Sequence, residues 1–307
     1  MQSILTTHHL RKEFGQKVAV ADLTIEVRAG EIFGFLGPNG AGKTTSVKML
    51  LSLTRPSSGS ATLLGQPLGD RLARARVGYL PEHFRFHEWL TAAEFLDLHG
   101  KLYGMAKTER DEAVSRLLAL VGLASRANTK LSAFSKGMLQ RIGLAQALIN
   151  DPDLVFLDEP TSGLDPLGRR LVRDIIKDLR ERGTAVFLNS HLLSEVEKTC
   201  NRVAFIRDGC ILQTSTLEAF EQESLQVILR VGDPSPQLLA GLARFDPDVS
   251  LERANGHIIL HLDNEDKLPQ LAKWIVSQGQ ALYELTPMRL SLEDRFLQIV
   301  GEDASEG

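Results

Sequence analysis

Gly37-Pro38-Asn39-Gly40-Ala41-Gly42-Lys43-Thr44 fits the pattern G-x-x-x-x-G-K-[ST], a phosphate-binding loop set between a strand and a helix. The context around it agrees. Residues 31–36 form a short apolar run with one glycine, the form of a buried strand. Residues 43–53 read as a helix, stopped by Pro56 and the turn Ser57-Ser58-Gly59. The glycines let the backbone turn tightly, so that its N–H groups face phosphate oxygens, and the helix N-terminus adds positive potential. Lys43 then reaches the β- and γ-phosphates, and the Thr44 hydroxyl is available to Mg²⁺. Thr45 completes this candidate set. A chance glycine-rich turn is the plain alternative, and the flanking strand and helix argue against it.

Outward from the loop, strands and helices alternate. Residues 19–27 alternate in part like a strand ended by Ala29-Gly30. Helical spacing runs from 91 to 147, with Leu117, Leu118, Val121 and Leu123 on one helix and Ile142, Leu144, Ala145 and Leu148 on another. A buried strand follows at 154–157, a helix at 169–181 and a strand at 185–188. Residues 203–206 and 210–213 form a hairpin across Asp208-Gly209. This order predicts an α/β fold with a mostly parallel sheet, interrupted by a helical insertion at about 88–150. The polar stretch 214–224 marks a boundary, giving domains 1–221 and 222–307. The second reads strand 225–231, helix 237–243, strands 249–253 and 257–262, helix 267–277, strand 281–285 and helix 292–300. That is a small α+β unit of βαββαβ, ferredoxin-like order.

The 307 residues are 43% hydrophobic and 24% charged, ordinary values for a globular chain, with a formal charge of −4. That charge provides no global basic field for nucleic acid, and no nucleic-acid partner is expected. Cys200 and Cys210 alone cannot build a disulfide framework, and their spacing is not that of zinc ligands. The first twelve residues are too polar for a signal peptide. No run of residues approaches the ~18–20 apolar residues of a membrane span. A membrane role must come through a partner.

Leu154-Val155-Phe156-Leu157-Asp158-Glu159 is an apolar strand ending in two carboxylates. Asp158 suits Mg²⁺ through its water shell, and Glu159 suits the general base that polarises the attacking water. Many strands end in Asp-Glu, but behind a phosphate loop the functional reading prevails. At this point residues 4–220 resemble the ABC (ATP-binding cassette) ATPase family. Ser162-Gly163-Leu164-Asp165 looks like the family's D-loop, with Asp165 its acidic residue. His191 resembles its switch histidine, and Phe14 stands where an aromatic stacks on adenine. Phe134-Ser135-Lys136-Gly137-Met138-Leu139-Gln140-Arg141 occupies the place of the family signature, usually Leu-Ser-Gly-Gly-Gln. Ser135 and Gly137 are kept, whereas Lys136 and Met138 depart from it in a form similar to an exporter branch. Glu82, in Gly78-Tyr79-Leu80-Pro81-Glu82, replaces the family's glutamine and remains an oxygen ligand for Mg²⁺.

The resemblance implies ATP and Mg²⁺ as cofactors, with the signature acting on nucleotide bound to a second cassette. It implies a homodimer or heterodimer of cassettes on a transmembrane permease subunit, peripheral at the cytoplasmic face of the cell membrane. A DNA-repair relative would have a coiled coil between Lys43 and Asp158, and a translation factor would have two cassettes; neither fits. Phe84, Phe86 and Trp89 are either core aromatics or the groove that receives the permease. His83, His87 and His99 lack ligand spacing and read as solvated or capping residues. Trp274 and Phe296 are candidate anchors of a C-terminal contact. The strings above and Ser291-Leu292-Glu293-Asp294-Arg295-Phe296-Leu297 look like ATPases of ABC-2-type exporters.

Overall fold

Ile32–Leu36, Leu154–Asp158 and Ala185–Asn189 are buried along their whole length, as strands covered on both faces must be. In the computed structural model they lie in a parallel sheet, in the order Arg202–Arg207, Ile32–Leu36, Ala185–Asn189, Leu154–Asp158, Val77–Leu80. Phe187 stands at the centre of this core. Its ring centroid is 5.7 Å from that of Phe33, 5.2 Å from Phe35 and 5.1 Å from Phe156. Burying each such ring contributes about 1.5–3 kcal/mol. Arg202–Arg207 continues through Asp208-Gly209 into Cys210–Thr216, and the positive φ of both turn residues (50° and 76°) suits a tight hairpin.

The structure describes residues 2–222, 225–232, 234, 236–246, 250–252, 257–262, 264–289 and 291–301. It divides into two compact units, Met1–Thr214 and Ser215–Gly307. In the first, an antiparallel layer joins the parallel strands: Ser3–Phe14 pairs with Lys17–Leu23, with Glu26–Arg28 and with Ser58–Leu63. Sequence reading did not anticipate Ser3–Phe14. Its inward residues are Leu5, Thr7 and Leu10, and the alternation breaks at His9, whose φ is 49°. The bulge puts two residues where one is expected and hides the period of two. Gly59 fits against it, since a Cβ there would lie 2.2 Å from the His9 carbonyl oxygen. The stretch 19–27 is two strands, Lys17–Leu23 and Glu26–Arg28. The first helix is Lys43–Leu50, shorter than predicted, because the left-handed Ser52 (φ 58°) turns the chain before Pro56 is reached.

The helical insertion holds Ala92–Leu102, Lys107–Leu120 and Lys136–Ala147. Thr91 and Glu94 form a capping box at the first, two reciprocal bonds that fix its start.

The second unit has a four-stranded antiparallel sheet in the order Ser250–Glu252, His257–Leu262, Leu225–Val231, Leu282–Arg289. Helices Pro236–Leu242 and Lys267–Ser277 complete a βαββαβ sequence, and Leu292–Gly301 follows. Residues 249 and 253, predicted as strand, lie outside the described residues. Leu217–Gln222 is a helix within the stretch that reads as featureless, with Leu217 and Phe220 buried. Trp274 packs inside this unit, 5.7 Å from Phe245 and against Gly241, where a Cβ would lie 2.4 Å from its ring. It packs against the unit's own core and stays partly exposed.

Candidate functional site

The strands Ile32–Leu36, Val77–Leu80, Leu154–Asp158 and Ala185–Asn189 all end at one edge of the parallel sheet, so the turns after them converge there. Gly37, Glu82, Glu159 and His191 come from those four turns. Gly37 has no room for a side chain, because a Cβ would sit 2.2 Å from the Ile206 carbonyl oxygen. Gly42 is left-handed, with φ of 102°, and a Cβ would lie 2.5 Å from the Ala19 carbonyl oxygen. Gly42 also caps Lys43–Leu50 without a side-chain bond, which leaves first-turn N–H groups for a ligand. Lys43 Nζ bonds the carbonyls of Gly37 at 2.6 Å and Pro38 at 3.0 Å, arching over the loop. Burial pulls its pKa down, against the charges of Glu159, Asp158 and Glu82, which favour the ammonium.

Asp158 is 2% exposed and accepts from Asn189 Nδ2 at 2.5 Å. Burial pushes its pKa up; the Asn189 bond and Lys43 oppose this, while Glu82 and Glu159 add to it. Negative charge accumulates here. Tyr79 senses it, its phenol pushed up to about 12 by burial and then by Asp158 and Glu82.

Glu159 is left-handed, with φ of 52°, and buried. Its N–H donates to the Asn189 carbonyl at 2.8 Å, and Gln140 Nε2 donates to its carbonyl at 3.0 Å. Its Oε1 accepts from the His191 main-chain N–H and lies 2.8 Å from His191 Nδ1. Its Oε2 is buried without a partner. Asn189 and Gln140 were missed in the sequence. The available signal for Asn189 was a polar residue after four apolar ones, two before His191.

Asn39, Gly40, Gly42, Lys43, Thr44, Thr45, Glu82, Glu159 and His191 border one cleft of about 530 Å³, together with Asn189. Ala41 is buried behind it and accepts from the Gly209 N–H at 3.0 Å. Phe14 does not border the cleft. It is 54% exposed, beside Lys17 across its turn, with Lys12 Nζ 4.8 Å from its ring centroid. Ser135, Lys136, Gly137 and Asp165 border a second cleft of about 510 Å³. There Ser135 caps Lys136–Ala147, its Oγ accepting from the Met138 N–H at 3.3 Å. Met138 is half-buried and does not border this cleft. The Lys136 stem lies across Gly163, and Asp165 caps Pro166–Glu181 by accepting from Gly168 N–H at 2.7 Å. Glu82 also borders a third groove, with Phe84, Phe86 and Gln140.

Residues 20–162 match the family model described as ABC transporter. An uncharacterized ABC transporter ATP-binding protein of Synechocystis sp. is 45% identical over 94% of this chain and 80% of its own length. A Nod factor export ATP-binding protein I of Rhizobium sp. is 36% identical over 96% of each chain. The solved structure of an ATP-binding subunit of an ABC transporter superposes with a TM-score of 0.67 at 29% identity, covering 71% of this chain and 92% of that one. The chain therefore belongs to the ABC transporter family as an ATP-binding protein, and its first unit is an α/β ATPase cassette. Among the described residues no helix is long and apolar enough to cross a membrane.

Proposed function

We propose that this chain is the ATP-hydrolysing subunit of an exporter, and that paired cassettes drive transport through a separate transmembrane permease subunit. The observation that carries the reading is the separation of the two clefts: the loop around Lys43 and the segment around Ser135 share no lining residue. A second cassette, identical or related, brings its signature to the first one's nucleotide when the two pair head to tail. Export is supported by the Nod factor export relative, matched along nearly its whole length. The chain then sits peripherally at the cytoplasmic face of the membrane, and residues 222–307 serve as an accessory domain outside the chemistry.

The residues fit Mg²⁺-ATP. Gly37 and Gly42 bring backbone where a side chain would collide, and buried acceptors at Glu159 and Asn189 lack donors. Among the described residues no three His, Cys, Asp or Glu side chains cluster as a metal site. That suits Mg²⁺, which keeps waters and takes phosphate oxygens beside one or two carboxylates. Bound Mg²⁺-ATP supplies an electrophilic γ-phosphorus whose charge the metal spreads. Thr44, Glu82 and Asp158 would hold the metal. Backbone N–H groups from Asn39 to Thr45 hold phosphates, and Lys43 exchanges its loop carbonyls for phosphate oxygens. Phe14 stacks on adenine. Glu159 takes a proton from water at Oε2, while His191 keeps Oε1 engaged. Ser135, Lys136, Gly137 and Met138 complete the site of the opposite cassette, with Asp165 at the seam.

Lys43→Ala should weaken ATP binding about tenfold or more by removing a charge-assisted contact. Glu159→Gln should keep affinity within about threefold and lose ~10²-fold or more in kcat. Equilibrium nucleotide binding and steady-state ATPase assays measure both. Normal turnover by Glu159→Gln would remove it from the role of base.

A further inference from the structure

Asn189 closes the strand Ala185–Asn189 and stands opposite Asp158 in the parallel register. It is 3% exposed, and both its side chain and its backbone serve the carboxylates: Nδ2 donates to Asp158 Oδ1 at 2.5 Å, and its carbonyl accepts the Glu159 N–H at 2.8 Å. The amide thus presents its nitrogen to Asp158 and turns its oxygen away. That oxygen has no partner, and neither has Glu159 Oε2. Both atoms are buried, and both residues border the cleft that holds Lys43 and Thr44. Each is a closed-off acceptor without a donor on a residue that borders the cleft, and a water admitted beside them has two hydrogens to give.

We propose that Asn189 is a positioning residue for hydrolysis: its Oδ1 accepts one hydrogen of the attacking water while Glu159 Oε2 accepts the other. With both hydrogens held, the water's lone pairs are the part left to face the γ-phosphorus. As the new O–P bond forms, the O–H bond toward Glu159 breaks and the proton passes to Oε2. The bond from the γ-phosphorus to the β–γ bridging oxygen breaks, and its electron pair leaves with ADP. Asn189 keeps its hydrogen bond throughout and gains no proton. The inference rests on Glu159 being the base.

The test compares Asn189→Ala and Asn189→Ser with the wild-type full chain, since both are small and neither overpacks the site. Steady-state kcat, equilibrium affinity for Mg²⁺-ATP and thermal unfolding are measured on each. Asn189→Ala should lose ~10–100-fold in kcat, the cost of a misplaced reactant, with affinity within about threefold and a cooperative unfolding transition retained. Turnover within about twofold of wild type, or a loss arising only from weaker binding, overturns the proposal. Should Asn189→Ala not fold, Asn189→Ser decides alone: reduced kcat at unchanged affinity supports the role, and parity with wild type overturns it. Glu159→Gln, measured alongside, separates the two claims. If it turns over normally, the base assignment falls and this inference with it. If it is inactive while Asn189→Ala is unimpaired, only the role of Asn189 falls.

Discussion

Asp158 carries the cost of the site most directly. Its carboxyl is buried beside Glu82 and Glu159, and its pKa lies above the ordinary carboxylate range. The folded protein therefore holds that proton more tightly than the unfolded chain does. Without nucleotide, stability contributed by this group falls as pH rises from the unfolded carboxyl's range through the raised folded value. Asp158→Asn removes the buried charge and retains an oxygen for Asn189 Nδ2. It should raise the thermal midpoint of the nucleotide-free protein near pH 7 and lose that advantage in acid, where Asp158 is itself protonated. A midpoint lowered at neutral pH would show that Asp158 stabilises the empty fold. At this scale the loop residues, Asp158 and Glu159 were legible, because phosphate chemistry confines them to a short pattern next to a strand. Asn189 and Gln140 were not, since the bonds they make to Asp158 and Glu159 come from segments distant in sequence.

At the scale of elements, the segment 84–89 separates into two kinds of aromatic. Phe84 and Phe86 are half-buried, with ring centroids 4.4 Å apart and 6.0 and 5.7 Å from the buried Phe95. Trp89 is 69% exposed, touching His87. Phe86→Ala should cost about 2 kcal/mol in a urea titration, below the ~3–5 kcal/mol of a fully buried ring. Trp89→Ala should cost less than about 0.5 kcal/mol, as exposed positions do. Both should keep basal ATPase, and if the proposed permease subunit docks here and stimulates turnover, Trp89→Ala should lose that stimulation. Phe84 and Phe86 line the groove beside Glu82 and Trp89 does not; a large loss of stability in Trp89→Ala would make it a core residue and remove it from any partner surface. The hairpin at Asp208-Gly209 was readable because its turn chemistry is local. Ser3–Phe14 was not, because a bulge at His9 shifts the inward face halfway along, and no window of fixed period spans it.

At the scale of the whole molecule, the sheet order decides what one chain can and cannot do. Parallel strands gather Lys43, Asp158, Glu159 and His191 at one edge, whereas the helical insertion carries Ser135 to a separate cleft with Asp165. Alternating strands and helices revealed the first arrangement from sequence. The second required coordinates, since linear spacing says nothing of which cleft a helix start faces. If the signature serves the opposite nucleotide, ATP must join two chains, and blocking hydrolysis must keep them joined. Light scattering on the Glu159→Gln full chain measures this directly. With saturating Mg²⁺-ATP the mass should rise to twice the 33.9 kDa of one chain, and it should return to 33.9 kDa when nucleotide is removed. A mass that stays at 33.9 kDa at high protein concentration, with ATP bound, would contradict pairing between two copies of this chain.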